Sequence, residues 1–341
     1  MSTLHTIVIG LALSSSLLSA GCMSEEEAQR SAMSGSSELN DMGKADSSAE
    51  LNDELVTQEP EGCVFDAGDR FEPRTTFVDG PWVGACHDTR KRRPVDLLSE
   101  DDAWALQDPS GYLAIYNVYH RGAFWVAFVP KSAVYEVYFQ LEYFPAVVPA
   151  GHTQLRLEYA EPVRLYGQST SVKGLYDEVF DLTLSIEAVT RPGDSYDLFK
   201  GTQEHFAIAY RVTTMEARFE DMVVRQGHHV EQWRLTLEED EAEALLGRYV
   251  SMSAEHQLDY SYHTLFKNCT TDIIKALDAV VSYTWREQVQ RFLVKVTEVY
   301  PNIVRAALIS RGLLPLDQST DWYPLEEDEA FIERYEERAA D

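Results

Sequence analysis

Apolar and polar positions are distributed differently in successive parts of the chain. Ile7 to Leu18 is an apolar stretch in a segment, 1–21, without Asp, Glu, Lys or Arg, too short to span a bilayer as a mature helix but the right length for a signal-peptide core. From Met23 to Pro60 there is scarcely an apolar run, and Ser, Glu, Asp and Asn dominate. Beyond that the pattern is strand-like. Gly111–His120, Ala123–Val129 and Val134–Leu141 are rich in Tyr, Val, Ile and Phe. In the next stretch Thr153, Leu155, Leu157 and Tyr159 alternate with His152, Gln154, Arg156 and Glu158. Phe180, Leu182, Leu184, Ile186 and Ala188 alternate in the same way with Asp181, Thr183, Ser185 and Glu187. This period of two predicts half-buried strands, and Phe206–Val212 and Val230–Leu237 complete the set.

The helical signals come late. Thr236-Leu237-Glu238-Glu239 reads as a capping box ahead of Ala242, Leu245, Leu246, Tyr249 and Val250 at helical spacing. Asn268-Cys269-Thr270-Thr271-Asp272 reads as a second helix start, with Ile273, Leu277, Val280 and Val281 on one face. Gln288–Ser310 continues in helical pattern, broken by Pro301. Strands first and helices afterwards predict an α+β fold, an antiparallel sheet with segregated helices.

The net charge of −28 over 341 residues argues against nucleic acid as a partner, because such a chain is repelled by phosphate backbones. Half of that charge lies in two tails, −8 over residues 23–60 and −6 over residues 326–341. Acidic runs such as Glu326-Glu327-Asp328-Glu329 are expected to stay solvated and extended.

Leu18-Ser19-Ala20-Gly21-Cys22 resembles the lipobox of bacterial lipoproteins, with Cys22 lipidated as the mature N-terminus. The organisation expected is a signal peptide (1–21), a lipidated cysteine and flexible acidic linker (22–60), an N-terminal β-rich extension (61–130), a main α+β domain (131–312) and an acidic C-terminal tail (313–341). Cys63 and Cys86 flank a turn-rich loop in an exported chain, where a disulfide between them is expected. That leaves Cys269.

A cysteine at a helix N-terminus has its thiolate favoured by the helix dipole and by free amides, which also suit an oxyanion. Asn268 and Thr270 therefore belong to the candidate site beside the nucleophile Cys269. His152, on a polar strand face, is the candidate base, and Glu187 on another polar face is the group to orient it if the two strands are neighbours. The bland alternative is an inert buried thiol. His228-His229 is expected to be exposed, His263 and Cys269 make a weak metal pair with no third ligand nearby, and Arg90-Lys91-Arg92-Arg93 reads as a solvated loop. No metal and no cofactor are expected.

The stretches Gly151–Leu157, Leu184–Ala188 and Tyr262-His263-Thr264-Leu265-Phe266-Lys267-Asn268-Cys269-Thr270-Thr271-Asp272-Ile273 together resemble the Lnb-type N-terminal periplasmic domain family. The resemblance implies a circularly permuted papain-like (NlpC-like) core in which His152 precedes Cys269. It also implies thioester chemistry: acyl transfer from a phospholipid to a lipoprotein amine, or hydrolysis of cell-envelope amides or esters. The expected partners are the membrane, through the N-terminal lipid, and a phospholipid together with a lipoprotein or other envelope substrate. The alternative of a different class is an inactive binding or scaffold lipoprotein.

Overall fold

The computed structural model describes residues 63–99, 111–144, 151–264, 267–284, 287–288, 304–315 and 322–339. The expected signal peptide, Cys22 and the linker lie outside the described residues.

Strands β1 (Asp96–Leu97), β2 (Tyr112–His120), β3 (Ala123–Pro130), β4 (Val134–Tyr143), β5 (Gly151–Gly167), β6 (Tyr176–Val189), β7 (Phe206–Thr214), β8 (His229–Arg234), β9 (Ser261–Tyr262) and β10 (Trp322–Pro324) form one mixed sheet. Five of them close on themselves. β2 pairs with β3, β3 with β5, β5 with β6 and β6 with β7, and β7 returns to β2 through the parallel contact of Tyr119 with Thr213. The β2–β3 hairpin turns at Arg121-Gly122, both with positive φ, the geometry of a two-residue turn that favours glycine at its second position.

β5 belongs to two structures at once. Residues 164–167 pair with β3 inside the barrel, whereas residues 151–159 pair with β4. An irregularity between Glu158 and Val163, where β5 meets β6, separates the halves. Such a bulge bends a strand and raises its local twist. Beyond β5 the sheet runs outward through β4, β8 and β10.

The expected antiparallel sheet with segregated helices, and the permuted papain-like core, are not what forms. The fold is a closed five-stranded barrel with extra strands and few helices among the described residues. Alternation along a strand identifies its buried face, but closure depends on a parallel contact between segments about 90 residues apart and on a bulge, neither of which has a period to read.

The helices are α1 (Leu198–Gly201), α2 (Met215–Phe219), α3 (Glu239–His256), α4 (Cys269–Asp278), α5 (Val304–Ser310) and α6 (Glu329–Ala339). α2 runs on into a π-helical turn over Glu220–Arg225. α3 packs on β7, β1 and β4, and α4 on β5 and β6. Leu155, Leu157, Leu182, Leu184 and Ile186 from the strands meet Leu245, Tyr249, Ile273 and Leu277 from the two helices in one core. Burying each such aliphatic side chain is worth about 1.5–3 kcal/mol. α3 starts later than expected. Its cap is Glu238, reciprocally bonded with Glu241, while the Thr236 amide donates to Leu313 O.

The acidic stretch near the C-terminus is folded. β10 pairs with β8, Leu325 and Phe331 are buried, and Asp328 accepts from the buried Arg156 at 2.6 Å. The solvated reading failed because charge density hid two apolar anchors and an acid with a buried partner.

Candidate active site

Cys269 is the first residue of α4. Asn268 caps the helix: its side chain accepts from the Thr271 amide at 3.0 Å, and the Thr271 hydroxyl in turn accepts from the Asn268 amide at 3.0 Å. The Asn268 side-chain amide also donates to Thr264 O at 2.6 Å, which fixes the approach to the helix. The first intrahelical bond is from the Asp272 amide to Asn268 O, so the amides of Cys269 and Thr270 belong to the turn whose donors lie outside the helical ladder. Cys269 is fully buried, with Sγ 3.8 Å from the Thr270 hydroxyl. It is disulfide-bonded in this structure, so nucleophilic chemistry belongs to its reduced form.

His152 and Glu187 are brought together. The register of β5 against β6 sets Gln154 opposite Ser185, which leaves His152 and Glu187 facing each other two residues further along. His152 Nε2 stands 3.6 Å from Glu187 Oε1. The link to Cys269 is indirect. The Thr153 hydroxyl donates to the Thr270 hydroxyl at 3.2 Å, joining the residue after His152 to the residue after Cys269. His152 Nε2 is buried with no hydrogen-bond partner, so Cys269 is not bonded to that nitrogen.

Burial lowers the His152 pKa against the opposing pull of Glu187, so the ring is neutral at pH 7. For Glu187 burial acts in the upward direction, and the surrounding cations outweigh it, holding the carboxyl well below the usual carboxylate range. With a neutral His152 the arginines supply that field. Arg92, Arg211 and Arg218 lie 3.6, 3.7 and 3.7 Å from its oxygens.

These arginines were not legible as site residues, because Arg211 and Arg218 sit alone in apolar or mixed contexts. Arg218 also reaches Glu142 at 3.2 Å and Gln154 at 3.0 Å. Glu142 in turn lies 2.6 Å from His228 Nδ1. His228 is therefore buried, contrary to expectation, while His229 is exposed. The basic run divides similarly. Arg90 is exposed and pairs with Asp88, but Arg93 is buried against Asp69 and Glu72, and Arg92 turns to Glu187. A sequence run reports composition, whereas burial depends on which neighbours carry the opposite charge.

Cys63 and Cys86 form the expected disulfide. A cavity of about 370 Å³ lies between the start of α3 and the connection from β3 to β4, lined by Leu113, Val129, Val134, Tyr159 and Leu246 among others. It shares no residue with the Cys269, His152 and Glu187 group.

Among the described residues no helix is long and apolar enough to cross a membrane. No curated protein and no solved structure matches the chain. The family model of the Lnb N-terminal periplasmic domain matches residues 123–304, more than half of the chain and a span holding His152, Glu187 and Cys269. The chain belongs to the Lnb N-terminal periplasmic domain family, which points to an envelope protein facing the periplasm.

Proposed function

We propose that the protein is a cysteine-nucleophile acyltransferase of the cell envelope, tethered by a lipid on Cys22; with Cys63 and Cys86 paired and the Cys22 sulfur taken up by the lipid thioether, Cys269 in the tethered form is a reduced thiol. The observation that carries this reading is the capped α4 start with Cys269 at its first position, tied by the Thr153–Thr270 bond to the strand that holds His152 against Glu187. An ionised Glu187 facing Nε2 favours the tautomer with its proton there. His152 stands on the face of β5 opposite Thr153 and α4, so Nδ1 takes the Cys269 proton only after the start of β5 shifts. The thiolate attacks an ester carbonyl, and amides at the helix start stabilise the oxyanion. Collapse expels the alcohol, protonated by the imidazolium, and leaves a thioester on Cys269. An amine then attacks the thioester, His152 takes its proton, and the acyl group leaves as an amide while the thiol is restored.

Water in place of the amine would make the same site an amide or ester hydrolase. A specific observation favours a third reading: Cys269 is fully buried and disulfide-bonded, as in a structural cysteine of an inactive scaffold.

The test is mass spectrometry of Cys269 after incubating the protein, under a thiol reductant, with phospholipid vesicles. A hydroxylamine-sensitive acyl adduct that passes to a lipoprotein-like amine supports the transferase. An adduct lost only to water identifies the hydrolase. Absence of any adduct, with Cys269 shown to be reduced, overturns both enzymatic readings.

A further inference from the structure

Gly247 sits in the middle of α3, where a glycine weakens a helix that an alanine would strengthen. Neither conformation nor crowding requires it. Its backbone is helical, and a Cβ built on it would meet nothing within 4 Å beyond its own turn of helix. The space in front of it is the cavity of about 370 Å³. Asp240, Glu243, Ala244 and Gly247 follow the i, i+3, i+4, i+7 spacing and share the helix face above that space. Two cross-strand pairs form the floor, Leu113 opposite Val129 on β2 and β3, and Val134 opposite Tyr159 on β4 and β5. Leu113 and Val134 are only partly buried, as apolar side chains are when the helix above them does not close down.

The floor also carries a donor with nothing to donate to. Tyr159 is 3% exposed, and its hydroxyl is buried without a hydrogen-bond partner. Burial, and then the field of Asp181, hold its pKa far above that of an ordinary phenol, so it keeps its proton at pH 7. A buried donor left unmade costs stability. Apolar walls with one such polar group, in a space of this size, match the usual make-up of a small-molecule site. The charged lining residues are two carboxylates, Asp240 and Glu243, against one ammonium, Lys131, in a chain of net charge −28. An anion is disfavoured there, and an uncharged molecule is not.

We propose that the space under α3 binds one small uncharged molecule with an apolar body and a carbonyl-type acceptor, the body resting on Leu113, Val129, Val134 and Leu246 and the acceptor meeting the Tyr159 hydroxyl. The ligand covers the floor that Gly247 leaves open and satisfies the orphaned donor. The site shares no residue with Cys269, His152 or Glu187 and does not rest on the proposed function.

Butyrophenone, butylbenzene and phenylbutyrate offer similar bodies with a ketone, no acceptor and a carboxylate. NMR titration of the full-length chain with each at pH 7 tests the proposal. Saturable one-to-one binding of butyrophenone is expected, tighter than that of the other two. Tyr159→Phe removes a hydroxyl that bonds to nothing in the free protein, so it should fold. It should weaken butyrophenone by about threefold to tenfold, the worth of one hydrogen bond, and leave butylbenzene unchanged. Gly247→Leu places a side chain in the cavity, and should raise the Tm of the free protein while abolishing binding. Cys269→Ala should bind normally. Absence of saturable butyrophenone binding up to its solubility limit overturns the proposal and makes the cavity a packing void. So does tighter binding of phenylbutyrate, binding that survives Gly247→Leu, or equal weakening of ketone and hydrocarbon by Tyr159→Phe. Tyr159→Phe decides the matter should Gly247→Leu fail to fold.

Discussion

The Thr153 hydroxyl donates to the Thr270 hydroxyl at 3.2 Å, binding the first turn of α4 to the first residues of β5. Strand alternation puts Thr153 against the helix and His152 on the opposite face with Glu187. The two halves of the candidate site are thus held on a shared backbone junction. Thr153→Val, which removes the donor and keeps the volume, should cost about 1–2 kcal/mol in urea unfolding. It should also slow Cys269 acylation.

Cys269→Ser should abolish the covalent adduct, because a serine hydroxyl is far harder to ionise than a thiol. His152→Ala should leave Cys269 in place but slow adduct formation by about 10²–10⁴-fold, the usual share of a general base. Single-turnover mass spectrometry distinguishes the two variants. Equal rates in wild type and His152→Ala would remove the base assignment.

Glu187 has a folded pKa below its unfolded value of 4.5. Its stabilisation is present above pH 4.5 and is lost as pH falls through the folded value. Glu187→Gln leaves buried arginines without their carboxylate and should cost about 3–5 kcal/mol at pH 7. The gap between variant and wild type should narrow in acid below pH 4.5. A gap independent of pH, followed by denaturant midpoints, would mean that the charge of Glu187 contributes nothing.

His87 is fully buried, and burial lowers its pKa from 6.5 to about 4, partly offset by Thr75. The unfolded chain binds the extra proton first, so the neutral ring stabilises the fold above pH 6.5 and that contribution fades as pH falls towards 4. His120 and His152 move in the same direction, so the reading is by difference. His87→Gln should lose less stability than wild type between pH 6.5 and 4.

Reduction of Cys63–Cys86, or the double change to Ala, should lower stability by about 3 kcal/mol for a loop of this length. Calorimetry with and without reductant, on the Cys269→Ala background, isolates that bridge.

Much of this was legible in sequence because strands and helix caps carry local signals. The alternation around His152 and Glu187 correctly assigned their faces, and Asn268-Cys269-Thr270-Thr271 marked the start of α4 to the residue. Barrel closure was not legible, since Tyr119 and Thr213 announce nothing about each other. The arginines around Glu187 were equally silent: a lone Arg on a strand or short helix looks like surface until its neighbours are known. The acidic tail misled for the opposite reason, its charge outweighing Leu325 and Phe331 in any composition average.

The barrel has no edges, but the strands leaving it through β4 and β8 would end on an open ladder. β10 occupies that position, three residues long and ending in Pro324, which has no amide hydrogen to offer. Glu326, Glu327 and Asp328 follow at once. A neighbouring copy looking for a strand to extend meets a short, charged and chemically blunted rim. That rim protects the chain against edge-to-edge self-association, and trimming residues 322–339 would expose β8 as a template for aggregation.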